Sequence, residues 1–141
     1  MEEIKNYLCL YLKKNQENFI SNWEKKIIIN NQDPHKEEIV KNGTNLLNAF
    51  IMYMKEEITL QKLEITLTKI AKERIESKVN IAEYIHNTTI AKIEIMNIIS
   101  LLNPNLQQYQ TLVEKINQFF DYLIYYTVYS YYEQKLSIKF M

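Results

Sequence analysis

At 141 residues the chain has the length of about one domain, enough to bury roughly two thirds of its unfolded surface in one core without disulfides or a structural metal. Hydrophobic residues make up 47% and charged residues 24%, a globular balance, and 17 basic against 17 acidic side chains leave no electrostatic footprint for nucleic acid. Cys9 has no second cysteine to pair with, the N-terminus is acidic where a signal peptide is basic, and no uncharged apolar run approaches the roughly 18–20 residues that span a bilayer; a cytoplasmic protein with no membrane span is expected.

One glycine and two prolines supply too few breakers for a β-rich fold, which needs a turn signal every few residues, so an all-α domain spanning 1–141 is expected. Ile, Tyr and Thr favour strands locally, and Glu64-Ile65-Thr66-Leu67-Thr68 alternates with period two, but periodicity over longer windows is helical. The enrichment in Ile, Asn, Lys and Tyr is what an AT-rich genome produces, so tyrosine abundance carries no functional weight.

In chain order, a helix from about Glu2 to Lys14 carries Ile4, Leu8 and Tyr11 on one stripe, and a second runs from about Gln16 to Ile29 with Asn15 as N-cap. Asp33-Pro34 opens the third, which reaches about Glu57; Glu37 and Glu38 lie near its positive end. Its stripe is Ile39, Gly43, Leu46, Phe50 and Tyr53, where the glycine points to a close crossing. The fourth helix, about Thr59 to Ser77 with Thr59 as cap, has the stripe Leu60, Leu63, Leu67, Ile70, Arg74. A fifth, about Ile81 to Leu102 with Asn80 as cap, buries Tyr84, Thr88, Ala91, Ile95, Ile98 and Leu102, and Asn103-Pro104-Asn105 ends it. The last helix, about Leu106 to Leu136, carries one seam of Leu106, Tyr109, Val113, Ile116, Phe120 and Leu123, and another of Leu112, Phe119, Tyr122, Tyr126 and Tyr129. A helix apolar on two faces needs more partner surface than one neighbour provides, which points to a homodimer with Phe119, Tyr122, Tyr126 and Tyr129 at its interface.

Motifs for catalysis are nearly absent: no GxGxxG, P-loop, HExxH, paired CxxC or nucleophile elbow occurs. Cys9 with His35 or His86 is a weak Cys–His candidate beside the simpler reading of a buried core thiol, and histidines 51 positions apart lack metal-ligand spacing. Neither an enzyme nor a metal site is expected.

Arg74, the only arginine, departs from this background because it occupies an apolar stripe position. A guanidinium keeps its charge, so at the core it must be matched by an anion. Two readings stand: it snorkels to solvent or pairs with Glu73 or Glu76, or it clamps the carboxylate of a ligand at the mouth of an apolar cavity. In the second, Phe50, Leu63, Leu67 and Ile70 are candidate tunnel walls. His86, near the start of the fifth helix, is either a core histidine or a second polar group whose charging near pH 6.5 would tune anion affinity.

Tyr11-Leu12-Lys13-Lys14-Asn15-Gln16-Glu17, then Phe19-Ile20 and Trp23-Glu24-Lys25-Lys26-Ile27, resembles the start of the non-haem globin sensor domains of bacilli, found on stressosome proteins and some sporulation histidine kinases. The likeness continues through Ile75 and Ile81 to Ile95, covers the whole chain, and is nearest to free-standing, plasmid-encoded sporulation-inhibitory proteins that copy only the sensor domain. It implies a globin-like bundle of about six helices without haem, dimerising through its last two helices, with no output domain. It further implies a fatty acid in a hydrophobic tunnel, its carboxylate meeting an arginine and a chloride ion, and a function of titrating the signal of, or pairing with, a sensor histidine kinase. Arg74 is the position that carries over. The alternative from another class is a solid helical scaffold that acts as a protein-interaction dimer and binds no ligand.

Overall fold

With a single glycine and two prolines to interrupt it, the chain winds into six α-helices and no strand among the described residues, which are 2–29 and 37–139 of a computed structural model. They are α1 (Glu2–Lys14), α2 (Gln16–Glu24), α3 (Glu38–Met54), α4 (Leu60–Glu76), α5 (Ile81–Leu101) and α6 (Leu106–Lys139). The Asp33-Pro34 start signal and His35 lie outside the described residues.

Local signals set most of the helix ends. Thr59 accepts a hydrogen bond from the Lys62 amide at 3.2 Å and Asn80 one from Ala82 at 2.7 Å, so both expected N-caps satisfy an orphan donor of the first turn. Asn15 does not cap α2; its amide donates to the Tyr11 carbonyl at 2.9 Å and closes α1 instead. Asn105 and Gln108 form a reciprocal capping box at the start of α6, with bonds of 2.8 and 2.9 Å. Asn103, at φ 55°, is the left-handed residue that ends α5.

The helix that was expected to continue from Gln16 to Ile29 stops at Glu24. A long-range contact explains the break: the Asn87 side chain on α5 accepts from the Ile28 amide and donates to its carbonyl, both at 2.9 Å, and so takes backbone groups that a helix would use internally. α3 likewise ends at Met54 rather than Glu57, closed by a Schellman motif in which Glu57 N–H donates to Met52 and Glu56 N–H to Tyr53, with Glu56 at φ 59°.

α6, 34 residues and roughly 50 Å long, packs most extensively on α4 and α5, while α3 touches α1, α2, α4 and α6. The core is assembled from the faces that meet there: Leu8 and Leu12 from α1, Phe50 and Met54 from α3, Leu63 and Leu67 from α4, Ile95 and Ile99 from α5, and Leu112, Ile116, Phe119 and Leu123 from α6. Phe50 meets the Phe119 ring edge-on at 5.2 Å and lies 6.1 Å from Phe120, which ties α3 to α6 through aromatic contacts.

Several stripe positions are corrected by this packing. Tyr11 is 40% exposed and Leu12 takes its place in the core; Leu60 is exposed at the start of α4; Ile99 rather than Ile98 is the fully buried residue of α5. On α6 the two expected seams merge into one buried face, and Leu106 and Tyr109 fall outside it. Phe119 belongs wholly to this intrachain core, whereas Tyr122 and Tyr126 are half-buried and Tyr129 is exposed. The exposed apolar face of α6 is formed by Ile124, Tyr125, Val128, Tyr129 and Tyr132.

Candidate functional site

The C-terminal turn of α4 carries Arg74 into the interior. Leu63, Leu67, Ile70 and Arg74 repeat at three and four residues, so the face that buries the three aliphatics buries the arginine as well, and its exposure is only 6%. The helix then closes with a Schellman motif: Val79 N–H donates to the Arg74 carbonyl at 3.0 Å and Lys78 N–H to Ile75 at 2.9 Å, with Lys78 at φ 61°. This reversal folds Val79 and the first turns of α5 back over the guanidinium, which also lies at the negative end of the α4 dipole.

Arg74 is held by side chains of α3 and of the C-terminal end of α4. Its Nη2 lies 3.7 Å from a Glu38 carboxylate oxygen on α3, long for a charge-assisted hydrogen bond, and 3.5 Å from the Ser77 hydroxyl. The hydrogen-bonding surroundings orient the Asn42 amide with its oxygen accepting from Arg74 Nε at 3.0 Å and its nitrogen donating to Glu73 at 2.9 Å. The charge therefore reaches a carboxylate of α3, and Glu73 of its own helix takes part through Asn42. Of the two sequence readings, snorkelling to solvent is excluded by the burial. Asn42, 4% exposed, lies three residues after Ile39 and four before Leu46; the same spacing rule that singled out Arg74 could have found it.

A cavity of about 50 Å³ opens beside the guanidinium, its lining mostly apolar, from Ile39, Leu46, Ile70 and Val79 to Trp23, with Arg74, Asn42 and Glu83 at its polar end. A second cavity of about 30 Å³, lined by Phe50, Ala91, Ile95, Phe119, Phe120 and Leu123, lies deeper and shares the walls Trp23, Gly43, Leu46 and Thr88 with the first. Each holds only a few water-sized volumes, at about 10–15 Å³ apiece, well short of the roughly 300–1,000 Å³ of a pocket for a drug-sized ligand. Of the four residues proposed as tunnel walls, Ile70 lines the first cavity and Phe50 the second, while Leu63 and Leu67 are fully buried and line neither.

Tyr84, rather than His86, is the α5 residue that faces Arg74 across the first cavity. Burial pushes its hydroxyl far above the usual tyrosine range, against the pull of Thr127 and Arg74, and neither the Tyr84 nor the Thr127 hydroxyl finds a partner of good hydrogen-bond geometry. Tyr131 on α6 donates to the Val79 carbonyl at 2.8 Å, and burial raises its pKa to about 12 although Arg74 pulls it down. His86 is exposed and is not part of the cavity lining, because the α5 arc that faces inward is Tyr84, Thr88 and Ile95. That expectation is corrected.

The sequence missed Trp23 as part of the site. Its indole Nε1 donates to the Asn87 carbonyl at 2.9 Å, and its ring lies so close to α3 that a Cβ at position 43 would stand 2.5 Å from Cζ3. Gly43 was expected to mark a close crossing, and the approach it permits is that of this side chain. Away from the cavities, Cys9 is buried and its thiol pKa is raised by that burial, and no group of three or more His, Cys, Asp or Glu side chains suited to a metal ion occurs among the described residues. No helix among them is long and apolar enough to cross a membrane.

The architecture is that of a helical domain in which the buried Arg74 guanidinium faces a small, mostly apolar cavity. By sequence, the chain belongs to the family of histidine kinase N-terminal domains, whose model matches residues 5–133. It is 73% identical over 135 residues to protein pXO2-61 of Bacillus anthracis, covering 96% of this chain and 99% of that one. The crystal structure of the sporulation inhibitor pXO2-61 from Bacillus anthracis superposes with a TM-score of 0.85 over 91% of this chain and 97% of that chain.

Proposed function

We propose that the protein is a sensor domain that binds the carboxylate of a fatty acid at Arg74 and restrains sporulation signalling, by titrating the signal of a sensor histidine kinase or by pairing with it. The observation that carries this reading is a guanidinium 6% exposed at the polar end of an apolar cavity. A ligand carboxylate entering there meets a planar guanidinium suited to a bidentate pair. The hydroxyls of Tyr84 and Thr127, buried without good partners, are donors for a small anion such as chloride beside it. Family membership, and the likeness to the sporulation inhibitor pXO2-61, support the regulatory half.

In this reading the protein works in the cytoplasm, adopts a globin-like arrangement, and forms a homodimer through α5 and α6. The exposed Ile124, Tyr125, Val128, Tyr129 and Tyr132 supply the apolar face that a second copy would cover. One observation favours the competing scaffold reading: the cavities are small. Overexpression in a sporulating bacillus separates the two. Heat-resistant spore counts should fall with the wild-type chain and recover with Arg74→Ala at equal protein level; equal inhibition by both would overturn ligand-dependent action.

A further inference from the structure

The two cavities share one wall. Trp23, Gly43, Leu46 and Thr88 line both, and among these the indole bridges the gap from α3 to α5: its six-membered ring rests on Gly43 and its Nε1–H is bonded to the Asn87 carbonyl at 2.9 Å. On one side lies the Arg74 end; on the other lies a space whose walls are aromatic and aliphatic, Phe50, Phe119 and Ile95 among them. A short carboxylate fits the Arg74 side alone. A longer one that continues inward to the second cavity has to pass the wall that carries the ring.

Resting on the carboxylate reading of Arg74, we propose that Trp23 is the residue that sets which chain lengths the site accepts. The indole is a movable partition: ligands that stop short of it bind without disturbing it, and longer chains bind only by turning it off Gly43 and breaking its bond to Asn87, which joins the two cavities into one channel. The absence of a side chain at Gly43 is then part of the device, since it is the surface on which the ring lies when the channel is closed.

Because Trp23 is the only tryptophan, its fluorescence reports on the partition directly. Purified wild-type protein, stripped of lipid, is titrated with acetate, hexanoate, decanoate and palmitate, binding being read by calorimetry and ring movement by Trp23 emission. The expected result is Arg74-dependent binding throughout, with emission unchanged for the short acids and shifted once the chain reaches the ring. Trp23→Phe, which keeps an aromatic ring but loses the bond to Asn87, should tighten palmitate binding by about fivefold to tenfold, the worth of one hydrogen bond, and leave acetate unchanged. Trp23→Ala, if it folds, should do so more strongly. Palmitate binding with unchanged emission, or equal affinity gains for short and long acids in Trp23→Phe, would overturn the partition while sparing the carboxylate site. Failure of every acid to bind wild type would sink both.

Discussion

Gly43→Ala should destabilise the protein even though alanine is the better helix former. In an exposed helix the exchange gains up to about 1 kcal/mol. Here the new Cβ would stand 2.5 Å from Trp23 Cζ3, 3.0 Å from Cη2 and 3.2 Å from Cε3, a clash with the body of a rigid ring rather than with the end of a flexible side chain. The ring is 6% exposed and tethered through Nε1, so relief requires either overpacking, at about 1–3 kcal/mol, or loss of the Asn87 bond, at about 0.5–1.5 kcal/mol. After the helix gain is subtracted from the overpacking cost, a net loss of up to about 2 kcal/mol is expected, a fall in Tm of roughly 2–4 °C per kcal/mol for a domain of this size. Urea unfolding followed by far-ultraviolet circular dichroism measures it. The sign of the change in a second background is the sharper readout: with Trp23→Ala the clash is gone, and adding Gly43→Ala should stabilise by up to about 1 kcal/mol. A Gly43→Ala protein as stable as wild type, or the same sign in both backgrounds, would refute the close-packing argument.

Asn80→Ala and Thr59→Ala each remove an observed N-cap bond and should cost about 1 kcal/mol in the same assay, whereas Asn15→Ala leaves the start of α2 unaffected because Asn15 does not cap it. Lys78→Gly, at φ 61° in the Schellman turn that seats Arg74, should stabilise by up to about 1 kcal/mol, since glycine takes up that conformation without a Cβ penalty. Tyr84 and Tyr131 hold their protons in the folded state above the ordinary tyrosine pKa. A raised folded pKa means that stability is fully present below the unfolded value of about 10 and is lost as pH rises towards 12, because the unfolded chain releases protons that the native one retains. Spectrophotometric titration near 295 nm should therefore show two tyrosines ionising only with alkaline unfolding, and Tyr131→Phe should narrow that window; titration of all tyrosines near pH 10 in folded protein would contradict it.

Short-range patterns carried much of this structure. The α4 stripe from Leu63 to Arg74, the caps Thr59 and Asn80, and the break at Asn103-Pro104-Asn105 depend on residues within one or two turns of each other, and they appear as read. Readings failed where a distant residue decided the outcome. α2 stops at Glu24 because Asn87, almost sixty positions away, claims the Ile28 backbone, and Trp23 enters the cavity wall for the related reason that its partner is the Asn87 carbonyl. The same holds at the site. Periodicity identified Arg74, but its neighbours Glu38, Asn42 and Tyr84 come from α3 and α5, and only the crossing of those helices brings them together. His86 failed because it lies two residues from both Tyr84 and Thr88, about 200° round α5 from the inward face.

The central claim is that the buried Arg74 exists to hold an anionic ligand. Native mass spectrometry of protein purified without denaturation, with organic extraction of the same sample, measures this directly. The account predicts a fatty acid carried by the wild-type chain and lost in Arg74→Ala, which stays folded by circular dichroism. A wild-type protein that is empty and remains so when offered palmitate, or an Arg74→Ala protein with undiminished lipid, would contradict it and leave Arg74 as a structural cation held by Asn42 and Glu38.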